Sequence, residues 1–104
     1  MSQPSNHKIA AMRAAFFADL DHRLSEIGGI ADRLRRRELN RDAARAALLA
    51  QMHDIKGCGA PYGVPEATEL ARSYEQHLSD LPPDSADLAE RIIDLIRDFR
   101  KITK

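Results

Sequence analysis

The chain has no tryptophan, one cysteine, three phenylalanines and two tyrosines in 104 residues. A single cysteine, Cys58, excludes an intrachain disulfide, and a lone thiol suits a cytoplasmic protein. Scarce aromatics leave the core to aliphatic packing, at about 1.5–3 kcal/mol per fully buried side chain. No apolar run approaches the roughly 20 residues needed to span a bilayer. The stretch from Met1 to His7 is polar and has no signal-peptide apolar region. Neither sign of charge is in excess, with 16 basic against 16 acidic residues. That balance excludes a global attraction to nucleic acid or to an anionic membrane. There is no strand alternation, internal repeat, low-complexity segment or glycine-rich nucleotide loop.

What remains is helical periodicity. Residues 1–6 read as a disordered lead, and residues 7–104 as one small helical domain. From His7 to about Arg37, Ile9, Met12, Phe16, Leu20, Leu24, Ile27, Ala31 and Leu34 recur at steps of three and four. Gly28-Gly29 interrupts this stretch in phase, which predicts a kink or a short break without a change of direction. Asn40 is a good N-cap for a second helix, with Asp42 in its first turn. Pro65 suits the first turn of a third helix, with Ala67, Leu70, Ala71, Tyr74 and Leu78 inward. Leu81-Pro82-Pro83 breaks the chain, and Asp84 or Ser85 caps a fourth helix. Leu88, Ile92, Leu95, Ile96 and Phe99 form its inner face. Four helices with short connections favour an all-α, antiparallel up-down bundle.

One stretch of the second helix carries chemistry: His53-Asp54-Ile55-Lys56-Gly57, followed by Gly63. Advancing about 100° per residue, Leu48, Met52, Ile55, Gly59 and Tyr62 fall within roughly 40° of one direction, the buried stripe. His53 lies about 140° from it, among Ala46, Ala50, Gly57 and Ala60. The histidine is expected to stand exposed, with neighbours too small to cover it. Lys56 lies within reach across the helix surface. Histidine is a competent nucleophile near neutral pH. Gly57 clears a side chain where a large partner would approach, and Lys56 could steady a phosphoryl group on the ring. A glycine within a helix costs about 1 kcal/mol relative to alanine, so Gly57 and Gly59 imply a compensating reason. No general base or metal cluster is evident beside His53. The stretch suits carrying a group more than running a full reaction.

These residues resemble the histidine-containing phosphotransfer (HPt) domain family, whose pattern reads here as His53, Ile55, Lys56, Gly57 and Gly63. Length, helix count and the following helix from Val64 to Leu78 are similar too, so the resemblance covers most of the chain. It implies an antiparallel four-helix bundle. It implies that His53 takes a phosphoryl group from a receiver-domain aspartate and passes it on. Lys56 would stabilise the phosphate, Gly57 would give the partner clearance, and Gly63 would end the motif as a conformational or packing glycine. The implied partners are response-regulator receiver domains and a hybrid sensor histidine kinase. No cofactor is implied in this chain; Mg²⁺ belongs to the receiver. No ATP site is expected, so the chain is a carrier and not itself a kinase. Ile55 in place of leucine conserves volume. Pro61 departs further, since its ring opposes the carbonyl of Gly57, and the helix is expected to kink or loosen over residues 57–61.

Plainer readings stand beside these. A lone helical histidine is usually solvated or satisfied in a core, and His7, His22 and His77 read as ordinary surface histidines. A zinc site from His22, His53 and His77 would need a convergence the wheel does not suggest. Cys58 points about 80° from the core direction and reads as a half-buried small residue. Arg33, Arg35, Arg36 and Arg37 read as a solvated helix end favoured by the dipole, with a basic docking patch for an acidic receiver surface as the alternative. Phe16, Phe17 and Tyr74 read as core aromatics, one of the two phenylalanines facing partly outward. A monomer is expected. Two other functions keep the same fold: an adaptor that only binds, and a domain that inhibits a kinase by occupying its receiver-docking surface.

Overall fold

A computed structural model describes residues 6–82 and 86–102. It contains four helices: α1 (Asn6–Arg35), α2 (Arg41–Gly59), α3 (Pro65–Asp80) and α4 (Leu88–Ile102), with no strand among the described residues. Each helix packs on its sequence neighbour, and α1 closes the ring against α4. This is the all-α four-helix bundle that the periodicity predicts. The core is aliphatic, built on Leu20, Leu24, Ile27, Leu48, Met52, Ile55, Leu78, Ile92 and Leu95, with Phe99 fully enclosed.

The helix ends follow from local chemistry. The Asn40 side chain accepts a hydrogen bond from the Ala43 amide at 2.8 Å and caps α2. Pro65 occupies the first turn of α3, where its missing N–H is no loss. The Arg45 guanidinium donates to the carbonyls of Leu78, Leu81 and Pro82, at 3.1, 2.6 and 2.7 Å, and so caps the other end of α3. Helix α1 starts at Asn6, one residue earlier than expected, and runs through Gly28 and Gly29 without a break. Ile27 and Ala31 are buried on either side of the pair, and Gly28 faces Ile96. Packing in phase across the glycines holds the helix together. The expected Asp84 or Ser85 cap and residues 1–5 lie outside the described residues.

The ends of α1 and α2 have the same geometry. After α2, the Val64 amide bonds the Gly59 carbonyl at 2.8 Å and the Gly63 amide bonds that of Ala60 at 3.0 Å, with Gly63 at φ +85°. After α1, Glu38 bonds Arg33 at 2.9 Å and Arg37 bonds Leu34 at 3.2 Å, with Arg37 at φ 61°. Both are Schellman closures, which need one left-handed residue. The wheel placed Tyr62 in the buried stripe, yet it is 41% exposed. Regular helix ends at Gly59, so the 100° step no longer applies there, and the ring instead stacks on Phe16 at 6.4 Å.

Candidate functional site

Four buried residues, Leu48, Met52, Ile55 and Gly59, fix the rotation of α2. That rotation turns His53 outward, and its side chain is 74% exposed. Gly57 and Ala60 beside it are exposed as well. A methyl group built on Gly57 would meet nothing within 4 Å, so the fold itself does not demand a glycine there. The sequence expectation of an uncovered histidine on open ground matches the structure.

Lys56 is less free than the wheel suggests. Its ammonium donates to Oε1 of Glu75 on α3 at 2.5 Å, and both side chains are largely covered. The other carboxylate oxygen of Glu75 lies 3.9 Å from Nδ1 of His53. That separation is too long for a direct hydrogen bond and short enough for charge to be felt. One carboxylate thus faces both residues. Spacing along α2 could not reveal Glu75, because the partner comes from another helix. It sits seven residues after Thr68, on the side of α3 next to the Ala71 stripe.

A second network lies on the α1 side. Arg23 donates to Asp19 at 2.8 Å and to Gln51 at 2.9 Å, and approaches Asp54, the residue after His53, at 3.4 Å. The hydrogen bond it donates to Asp19 holds the Arg23 guanidinium charged more firmly than usual, against the opposing effect of partial burial. Arg13 donates to the Gly63 carbonyl at 2.5 Å and ties α1 to the end of the motif. Gly63 itself sits at φ +85°, a conformation that favours glycine.

Thr68 is the buried polar residue of the core. Its hydroxyl accepts from the Ala60 amide at 2.8 Å and donates to the Lys56 carbonyl at 3.0 Å. The carbonyl lies in the last turn of α2 and the amide on its C-cap residue. Neither Thr68 nor Glu75 was singled out from the sequence. Seven residues apart on α3, they share one helix face, but that spacing does not show which helix the face meets.

The other candidates separate from the site. His22 pairs with Glu26 on its own helix at 2.9 Å, and His77 stands against the Tyr74 ring. No group of three or more His, Cys, Asp or Glu side chains is placed to hold a metal among the described residues. Cys58 is half-buried and lines a cleft of about 290 Å³ with Ala15, Phe16, Asp19 and Tyr62. Phe16 is buried, and Phe17 is partly exposed with the Arg13 guanidinium 5.7 Å from its ring centre. Arg33, Arg35, Arg36 and Arg37 are all exposed at the far end of α1. No described helix is long and apolar enough to cross a membrane.

Against known families, the Hpt domain model matches residues 11–101. No curated protein matches the chain, and no solved structure does.

Proposed function

The chain belongs to the Hpt domain family, which carries a phosphotransfer role in two-component systems, and from that premise we propose that His53 is the phosphoacceptor of a phosphorelay carrier. The observation behind this reading is the exposed imidazole with a Lys56–Glu75 pair at its side. A receiver domain would dock over Gly57 and Ala60, where no side chain obstructs it. In its neutral form, with the proton on Nδ1 towards Glu75, His53 presents the Nε2 lone pair to solvent. Nε2 attacks the phosphorus of the receiver's aspartyl phosphate in line. A P–N bond forms, the P–O bond breaks, and the aspartate leaves as carboxylate with the electron pair. The ring is left positive, with Nδ1–H facing the Glu75 carboxylate. The receiver with its Mg²⁺ supplies most of the charge neutralisation on the moving phosphoryl group.

Lys56 then has two anions within reach. In the resting protein it neutralises Glu75; after transfer the phosphoryl oxygens compete for it. Onward transfer to a second receiver reverses the same bonds. No step uses ATP, so the chain passes phosphoryl groups between partners, which are response-regulator receivers and a hybrid kinase.

The test is incubation with a radiolabelled phospho-receiver. Wild type is expected to gain label that is lost in acid and stable in base, and His53→Gln is expected to gain none. Equal labelling of the glutamine variant would reject His53. Tight receiver binding with no label on wild type would favour the adaptor or kinase-inhibitor alternatives.

A further inference from the structure

Thr68 and Gly59 occupy one another's space. A methyl group on Gly59 would lie 2.6 Å from the Thr68 hydroxyl oxygen, 2.8 Å from its amide nitrogen and 2.9 Å from the Val64 carbonyl oxygen. These are impossible contacts, two of them with backbone that cannot swing away. The start of α3 therefore packs against bare backbone of α2. The α2–α3 pair is also the most extensively packed in the bundle.

Into that gap Thr68 sends a hydroxyl that bridges both ends of one rung of α2, from the Lys56 carbonyl to the Ala60 amide. The next rung is missing, because Pro61 has no N–H to offer the Gly57 carbonyl. The helix is weakened just beyond Lys56, and Thr68 braces it there. Seven residues on, Glu75 holds the Lys56 ammonium. Helix α3 thus grips Lys56 at its carbonyl and at its side-chain tip.

We infer that Thr68, seated in the space left by Gly59, is a positioning residue for the phosphoryl site: it sets the height and rotation of Lys56 beside His53. This rests on the reading of His53 as phosphoacceptor. Thr68 touches no reacting atom and acts through Lys56. A small displacement of a charge that must meet a transferred group is enough to slow transfer severalfold or more.

The test measures the rate of label acceptance from a phospho-receiver and the phosphohistidine lifetime, using the full chain. Thr68→Val keeps the shape and removes both hydrogen bonds. It is expected to lower the acceptance rate about tenfold. Thr68→Ser, which restores the hydroxyl, is expected to recover most of that rate. The decisive arm is Lys56→Ala, alone and with Thr68→Val. If Thr68 works through Lys56, the valine change adds nothing once the lysine is gone. A wild-type rate in Thr68→Val, or a full second loss in the Lys56→Ala background, overturns the inference. Should Thr68→Val fail to fold by circular dichroism, Thr68→Ala replaces it, since it removes the same two hydrogen bonds and adds no atom to the α2–α3 contact. The same dependence on Lys56 is expected, and independent losses again overturn the inference. Wild type that takes no label is a separate result: it removes the phosphoacceptor reading and this inference together.

Discussion

A methyl group on Gly57 meets open solvent, whereas one on Gly59 strikes Thr68 and Val64. The two glycines therefore answer to different demands, although the sequence presents them as a pair. On the proposed reading the demand at Gly57 comes from a docking partner, and that makes a sharp expectation. Gly57→Leu should raise the melting temperature, since leucine is the better helix former by up to about 1 kcal/mol. The same change should abolish receiver binding measured by titration calorimetry. Unimpaired binding would contradict the clearance role. Lys56→Ala should shorten the phosphohistidine lifetime while costing at most about 1 kcal/mol of stability, because its ion pair, though largely covered, still keeps over a quarter of each side chain in water. A large loss of stability with normal lifetime would contradict it. At this scale the sequence brings His53, Lys56 and Gly57 together, because their relation is internal to one helix. It hid Glu75 and Thr68, because contacts between helices depend on packing that spacing does not encode.

Helix ends show the same limit. Gly63 announces a left-handed closure because glycine suits it. Arg37 makes the same closure at φ 61° inside a run of arginines that reads only as charge. A side chain in that conformation costs roughly 1 kcal/mol. Arg37→Gly should therefore stabilise the chain by up to about 1 kcal/mol in urea unfolding, leaving phosphotransfer unchanged. A fall in the unfolding midpoint would show that the arginine makes contacts worth more than the strain. Asn40 and Pro65 were legible because each acts on its own helix end. Tyr62 was misplaced because Pro61 and the closing turn end the regular step on which the wheel depends. At Gly28-Gly29 the reverse holds: local propensity favours an interruption, and burial of Ile27 and Ala31 overrides it.

For the molecule as a whole, apolar periodicity alone gave the helix number and the bundle, since burying four aliphatic stripes leaves few other arrangements. Polar ties between helices then lock it. Tyr74 of α3 donates to Asp98 of α4 at 2.5 Å and packs on Phe99. Burial foremost, with the Asp98 hydrogen bond, raises its pKa well above the ordinary tyrosine value. The folded tyrosine keeps its proton where the unfolded one begins to lose it, near pH 10. The stabilising effect is thus complete below about pH 10 and is lost as pH rises further. Compared with Tyr74→Phe, wild type should be more stable at pH 8, and that advantage should shrink at alkaline pH. An advantage independent of pH would rule out the protonated Tyr74–Asp98 link.

The most direct measurement is to locate the phosphoryl group itself. After transfer from a phospho-receiver, nitrogen-15 and phosphorus-31 NMR of the intact chain, labelled at histidine, can assign the modified ring. Phosphate bonded to Nε2 of His53, with His7, His22 and His77 unmodified, is the expected result. Phosphate on another histidine, or none on any, would contradict the account.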